Sequence, residues 1–202
     1  MRITKLFLPL LLFSTSAMAD NNTAAITQGG NDSSLTVNQE AAVNSSVTVE
    51  QIGNVNIARI VQQNSNNSFG LKMSGRGNQI YGVQSGNAAN KTDVEMVGTR
   101  GLVYLYQSGD AGGTNNVLLR QNGSDNGAYF DQQVVGAGVN AIALYQNGNN
   151  NLADLSQTGS GNDMSLTQNG DLNNATVTQT GTALSFALTQ TGGSTVTVSQ
   201  SN

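Results

Sequence analysis

Glutamine recurs at a nearly fixed interval in this sequence, and that interval restricts the folds available to the chain. From Gln146 to Gln190 the spacing is 11 residues at four successive steps, and the last step, to Gln200, is 10. In the best units glycine follows glutamine by two positions, asparagine by five, and apolar residues by seven and nine. A period of two from the asparagine to the next glutamine predicts a β-strand with these residues on one face. Two such units give a 22-residue repeat, which is typical of a solenoid.

The same unit can be followed through the chain as sixteen predicted strands, each ending at an inward anchor residue. Fourteen anchors are glutamine and the other two are Met73 and Met96. Because buried amides must be paired, we expect the anchors and the asparagines that begin the strands to hydrogen-bond along the column. This predicted structural ladder contains Gln28, Gln39, Gln51, Gln62, Gln84, Gln107, Gln121, Gln132, Gln146, Gln157, Gln168, Gln179, Gln190, Gln200, Asn56, Asn151, Asn162 and Asn173.

The predicted fold is therefore all-β: a two-sheet β-solenoid of about eight 22-residue strand-turn-strand-turn rungs, with an amyloid-type cross-β arrangement. In this phase no inward position carries a charge, while ten charges fall on outward positions. The two 14-residue steps, Gln107 to Gln121 and Gln132 to Gln146, are interpreted as bulging loops within one array.

All five tyrosines point outward in this phase, and four of them lie on alternate strands and hence on one sheet. They predict a surface aromatic strip for adhesion or for lateral pairing of fibres, since clustered exposed apolar area usually marks a contact surface. Tyrosine is also simply a common residue of exposed strands, so both interpretations stay open. The four residues of the strip are Tyr81, Tyr104, Tyr106 and Tyr129.

Residues 1–19 have the features of a secretory signal peptide, and residues 20–202 form the predicted repeat array. Arg2 and Lys5 precede an apolar run, and Ala17-Met18-Ala19 matches a cleavage site. We expect export to the periplasm and then a place at the cell surface. Without the two leader cations, six of the eight basic residues remain against 12 acidic ones, and no basic patch is present, which argues against nucleic acid as a partner.

The sequence offers little for catalysis or for binding a cofactor or metal. It contains no histidine and no cysteine, so the usual general base and thiol nucleophile are missing. Asp93 and Glu95 are spaced like a carboxylate pair, but with Lys91 beside them they indicate a solvated charged face. Aspartates in the turns do not follow the nonapeptide of calcium-binding β-rolls. We predict that the protein is not an enzyme. We also predict no catalytic, cofactor-binding or metal-binding residues and no small-molecule substrate.

The unit Gln146-x-Gly148-x-x-Asn151-x-Ala153-x-Leu155-x-Gln157 resembles the curlin repeat of bacterial curli fibres, and the units that begin at Gln168 and Gln51 match it again. The resemblance implies a secreted subunit that polymerises into extracellular amyloid fibres for biofilm matrix, adhesion and cell aggregation. Its implied partners are further copies of itself, a companion curli subunit, and an outer-membrane secretion channel with accessory factors. Major and minor subunit both stay open, with the major one slightly favoured.

An ice-binding or other surface-binding β-solenoid is the alternative function. Such proteins present flat threonine ladders, and the last strands of one predicted sheet carry outward threonines. On the earlier strands of that sheet the equivalent positions hold tyrosine or charged residues, so the threonine patch spans two rungs. The four outward threonines are Thr176, Thr178, Thr195 and Thr197.

Overall fold

The computed structural model describes residues 10–12, 21–64 and 66–202, and within these ranges the chain forms strands and no helix. It follows that no described segment is a helix capable of crossing a membrane. The strands are β1 (Leu10–Leu12), β2 (Thr23–Gly29), β3 (Ser34–Glu40), β4 (Ser46–Asn54), β5 (Ile57–Gln63), β6 (Ser68–Arg76), β7 (Gln79–Gln84), β8 (Ala89–Thr99), β9 (Leu102–Gly109), β10 (Thr114–Ser124), β11 (Gly127–Val134), β12 (Val139–Asn147), β13 (Leu152–Ser160), β14 (Asp163–Asn169), β15 (Asn174–Thr182), β16 (Ser185–Thr191) and β17 (Thr195–Ser201).

Successive strands alternate between two parallel sheets. Odd-numbered strands form a nine-stranded sheet in the order β1 to β17, and even-numbered strands form an eight-stranded sheet from β2 to β16. We call these the odd sheet and the even sheet. Each strand pairs in parallel with the next strand of its own sheet, one rung further along, as Gln157 does with Gln179. The predicted two-sheet β-solenoid of about eight rungs is confirmed.

The core lies between the facing inner sides of the two sheets. Burial alternates along the strands, as in β5, where Ala58, Ile60 and Gln62 are buried and the residues between them are more exposed. The interior contains mostly small and medium apolar side chains together with asparagine and glutamine. No charged side chain is buried anywhere in the described ranges. A shift of one residue would move the outward charges of the strands inward, so the register is strongly fixed.

The two longer loops do not disturb the register. Gln107 pairs with Gln132 across one of them, and Gln121 pairs with Gln146 across the other. Both steps therefore add residues to a turn while the strands keep their stacking, as the sequence predicted.

Most of the predicted signal peptide lies outside the described residues, as does Ser65. Its segment Leu10–Leu12 forms β1 and pairs with β3, from Leu10 opposite Leu35 to Leu12 opposite Val37. The sequence predicts that the whole leader lies outside the fold. The difference has a physical cause: β3 is the outermost strand of the repeat array in the odd sheet, and an open strand edge pairs readily with a short apolar segment.

The turns require left-handed backbone at stacked positions. Gly53 has a φ of 117°, and a Cβ built on it would lie 1.9 Å from the carbonyl oxygen of Gly75 one rung away. Two residues further on, Val55 has a φ of 58°, and the equivalent positions of the later rungs, all with positive φ, hold Gly77, Arg100, Asp125, Asn150 and Leu172. A β-branched residue is strained in this region, whereas glycine and asparagine adopt it readily.

Replacement of Val55 by asparagine should therefore stabilise the fold. We expect a gain of about 1 kcal/mol in the free energy of unfolding, because the strain is relieved and no buried contact is lost. Val97 is the matched control: it is 42% exposed against 41% for Val55, but it lies within strand β8. Val97→Asn should lower stability, and equal effects of the two variants in urea denaturation would contradict the strain argument.

Candidate functional site

An uninterrupted ladder of buried glutamines runs along the odd sheet. In each of seven steps the side-chain Nε2 donates to the Oε1 of the glutamine one rung further on, over 2.8–3.0 Å. All donors point the same way, from the N-terminal towards the C-terminal rungs. The eight members are Gln39, Gln62, Gln84, Gln107, Gln132, Gln157, Gln179 and Gln200.

The second hydrogen on Nε2 ties the two sheets together. Gln157 Nε2 donates to the backbone carbonyl of Ala141 at 2.9 Å, and Gln132 Nε2 donates to that of Asn116 at 3.3 Å. These acceptors lie 16 residues earlier in the chain, at the start of the facing strand of the even sheet. Both donors and the oxygen of a buried glutamine are thus paired, so the burial penalty of the amide is offset.

The glutamine ladder of the even sheet is interrupted. The sequence prediction treated the glutamines of both sheets as one ladder and did not distinguish them. Gln28 donates to Gln51 at 2.9 Å, but the next two rungs hold Met73 and Met96, both buried. Gln51 Nε2 lies 4.0 Å from the Met73 sulfur, which is a weak acceptor. The ladder resumes with three bonds of 2.8–2.9 Å that join Gln121, Gln146, Gln168 and Gln190.

The four predicted asparagines are buried at the start of their strands, and two of them, Asn56 and Asn162, bond to the turns and not to another asparagine side chain. Asn56 Nδ2 donates to the carbonyls of Ile52 and Gly75, and its Oδ1 accepts from the backbone N–H of Asn78 at 3.0 Å. Asn162 repeats this arrangement in a later rung.

Asn173 and Asn151 form a direct side-chain bond of 3.0 Å, as the sequence analysis expected for all asparagines. Asn90 Nδ2 likewise donates to Asn67 Oδ1 at 3.0 Å, and Asn115 Nδ2 donates to Asn90 Oδ1 at 2.9 Å. The asparagines therefore hold the turns and in some rungs also bond to the next asparagine, whereas the glutamines of the odd sheet link every rung.

The four tyrosines of the predicted strip all lie on the outer face of the odd sheet. Tyr81, Tyr104 and Tyr129 occupy paired positions of three successive strands. The ring centroids of Tyr104 and Tyr129 are 5.5 Å apart with planes at 9°, and those of Tyr81 and Tyr104 are 6.3 Å apart at 40°. Tyr106 lies beside this stack, in register with Asp131. The four rings are 37–46% exposed, so the structure assembles them into one accessible patch.

The outer face of the even sheet is charged instead. Glu50, Lys72, Glu95 and Arg120 follow one another in register, with alternating sign. Arg120 contacts Asp93 at 2.8 Å and Glu95 at 3.2 Å, and its hydrogen bond with Asp93 raises the pKa of the guanidinium. Exposed pairs of this kind contribute little to stability, but they keep the face well solvated.

Comparison with protein families identifies the repeat: the family described as curlin associated repeat matches residues 140–170 and again residues 162–192. The two matches overlap and together span residues 140–192. Comparison with curated proteins and with solved structures gives no match. The match supports a curli-type structural protein.

The matched curlin repeats contain the most regular part of both ladders. They include Gln146 to Gln190 of the even sheet and Gln157 and Gln179 of the odd sheet. Rungs before residue 140 continue the same register and the glutamine bonds of the odd sheet, although some of their turns are longer and two of their anchors are methionine. The ladder therefore extends from the matched repeats along the rest of the column.

We expect the ladder to contribute strongly to stability, and Gln132 offers a clean test. Gln132→Ala removes the acceptor of Gln107, the donor to Gln157 and the bond to the Asn116 carbonyl. Each buried polar group left unpaired costs about 1–3 kcal/mol. The control is its neighbour Gln133, whose side chain is exposed.

Gln133→Ala should leave the free energy of unfolding within about 0.5 kcal/mol of the wild type. Equal losses for the two alanine variants in urea denaturation would show that the buried ladder is not the stabilising element.

Proposed function

We propose that this chain is an exported structural subunit that polymerises end to end into extracellular, curli-like amyloid fibres, which serve biofilm matrix, adhesion and cell aggregation. The observation that carries the proposal is the complementarity of the two ends of the solenoid. The signal-peptide features of residues 1–19 support export through the periplasm to the cell surface.

The amide ladders give the column a donor end and an acceptor end. At the N-terminal end, Gln28 Oε1 is buried and accepts no hydrogen bond from any described residue. At the C-terminal end, Gln200 Nε2 donates to the Ser185 carbonyl at 3.2 Å and, within the described residues, to nothing else. Continuation of the odd sheet into a second copy pairs Gln200 with Gln39. Continuation of the even sheet places Gln190 over Gln28, and Gln190 Nε2, which donates to the carbonyls of Asn174 and Ser194 in the single chain, would exchange the bond to Ser194 for one to Gln28. Head-to-tail stacking therefore extends both ladders, whereas contact between two like ends places acceptor against acceptor or donor against donor.

The terminal strands also match in length and side-chain size. Strands β2, β3, β16 and β17 are each seven residues long. If the register continues, Phe186 of one copy lies over Ala24 of the next, a large residue against a small one, and Val198 lies over Val37. Good packing between apolar layers favours such alternation of large and small side chains.

The inward residues at both ends lack a covering rung. Ile26 in the first rung and Phe186, Leu188 and Val198 in the last are only partly buried, while their equivalents in the middle are fully buried. No charge follows Asp171, so β16 and β17 present an uncharged open edge. Such an edge pairs with another strand unless something blocks it.

Predicted cleavage after Ala19 would remove β1 and uncover the edge of β3. Polymerisation competence would then begin with export. A secretion channel with accessory factors and a companion subunit, major or minor, complete the proposed set of partners, on the resemblance to curli systems.

The ice-binding alternative has weaker support. Thr176 pairs with Thr197 on the outer face of the odd sheet, but the same column holds Asp154, Tyr129 and Tyr104 in the rungs before it. A flat threonine plane therefore spans two rungs only.

Val198→Lys tests the proposed junction. In the free chain the lysine reaches water through the open end, but in a fibre it would be buried against the next copy, where an unpaired charge costs several kcal/mol. We expect seeded elongation to slow by at least tenfold. A small fraction of the variant should also slow growth of wild-type fibres, because its unaltered N-terminal end still adds and then blocks the tip.

Thr197→Lys is the matched control, since Thr197 is exposed on the outer face of the same strand. It should elongate like the wild type in the same light-scattering and sedimentation assays. If Thr197→Lys blocks growth and Val198→Lys does not, the inner and outer faces of the junction have been assigned wrongly. A wild-type chain that forms no fibres with cross-β diffraction would refute the proposed function itself.

A further inference from the structure

The outer face of the odd sheet has a central column in which charge and aromatic rings follow a symmetrical order. Arg59 pairs with Tyr81, then come Tyr104 and Tyr129, and Asp154 follows. A cation thus stands two rungs before Tyr104 and a carboxylate two rungs after it. The Arg59 guanidinium carbon lies 5.1 Å from the centroid of the Tyr81 ring, so the cation is held against the strip.

The neighbouring column repeats this symmetry with apolar residues. Ile57 stands two rungs before Leu102 and Leu152 stands two rungs after it. Ile57 and Leu152 are 43% and 38% exposed. The intervening rungs hold Gln79 and Gly127. The patch therefore has an apolar centre and one charge of each sign at its two ends.

We propose that this face binds a second copy of itself, in a neighbouring fibre, in an antiparallel two-fold arrangement centred on Tyr104 and Leu102. The inference rests on the proposed polymerisation, because it concerns how assembled fibres associate sideways. A two-fold axis along the strand direction keeps each column facing its own counterpart and reverses the order of the rungs. Tyr81 then faces Tyr129, Ile57 faces Leu152, and Arg59 faces Asp154. The contact is isologous, so every pair off the axis occurs twice, while Tyr104 and Leu102 each face their own counterpart once.

Charge decides between antiparallel and parallel pairing. With the two columns parallel and rungs level, Arg59 would face Arg59 and Asp154 would face Asp154. Like charges brought together in a partly desolvated contact are unfavourable, and opposite charges fix the register. Asp131, which pairs with Tyr106 at the side of the patch, adds a second carboxylate within the half that faces the partner's Arg59.

The outer face of the even sheet does not offer the same self-complementarity. Its charges alternate along one column and already pair within the chain, through Arg120 with Asp93 and Glu95. Its tyrosine, Tyr145, pairs with Arg120 and Thr167 and has no aromatic neighbour in register.

The size of the patch limits where the pairing occurs. Five rungs spaced about 4.8 Å apart and a strand length of about 20 Å give the patch an area of roughly 500 Å² per copy. This area is below the approximately 800 Å² that each partner buries in a stable protein interface. Single chains should therefore not dimerise through this face. In a fibre the patch recurs once in every copy, and simultaneous contacts strengthen one another. Pairing is thus a property of the fibre.

Charge exchange tests the proposal most directly. Arg59→Asp and Asp154→Arg should each reduce bundling of fibres at least fivefold, measured as the fraction of fibres with doubled mass per length in electron micrographs. The double variant carries both changes, so that opposite charges face each other again with their positions exchanged, and it should restore bundling. Elongation from seeds should stay the same in all three. If the double variant bundles no better than the single variants, the antiparallel register is overturned.

The aromatic part of the contact has its own matched pair of variants. Tyr104→Ser removes the central ring and should reduce bundling, while Tyr145→Ser removes a similarly exposed ring from the even sheet and should not. Equal loss of bundling in both would show that the pairing is not specific to the odd sheet.

Disulfide cross-linking between introduced cysteines can determine the relative orientation of two paired fibres, because the native chain contains no cysteine. Leu102→Cys lies at the proposed axis and should cross-link to itself between fibres. Ile57→Cys should cross-link only in fibres that also contain Leu152→Cys copies. Cross-linking of Ile57→Cys to itself would contradict the antiparallel order. Absence of fibres in the wild type would count against the proposed function, whereas normal fibres with unchanged bundling in every variant would count against this inference alone.

Discussion

The whole structure depends on burying the side-chain amide of glutamine without leaving any of it unpaired. The amide carries two N–H donors and one oxygen. One donor and the oxygen are used along the column, and the second donor reaches across the core to the backbone of the facing sheet, as in Gln157. Leucine would fill the space without these bonds, and glutamate would lack the donors. Because buried amides are expensive when unpaired, this geometry permits one strand register and one separation of the sheets.

A consequence is that the ends of the column present the same chemistry as its middle. Each rung is held by the rung before it through parallel backbone pairing, a hydrogen bond between side-chain amides and an apolar layer. The last rung offers the same groups to the first rung of another copy. Folding of one chain and addition of the next are then the same reaction repeated. A chain without cysteine can be held this way because the number of identical rungs replaces covalent cross-links.

Much of this could be predicted from the sequence, because a strict spacing of glutamine and a period of two fix the phase of every strand. The two sheets, the inward anchors and the alignment of Tyr81, Tyr104 and Tyr129 all follow from counting residues. The bonding of Asn56 to its turn does not follow, since it depends on the path of the backbone between strands. The polarity of the ladder also escapes the sequence, because an amide can stack with either orientation. The pairing of Leu10–Leu12 with β3 depends on an edge that exists only once the fold has formed.

Because the glutamine side chains share one orientation, the column has a net dipole along its axis. A side-chain amide has a dipole similar to that of a peptide unit, about 3.5 D, and the eight amides of the odd sheet point the same way. The backbone contributes little to this field, because β-sheets have only small net dipoles. The methionines at positions 73 and 96 interrupt the corresponding row in the even sheet, so the two sides of the column are unequally polarised. A long filament built from such units carries a field along its axis, which a neighbour of opposite direction neutralises.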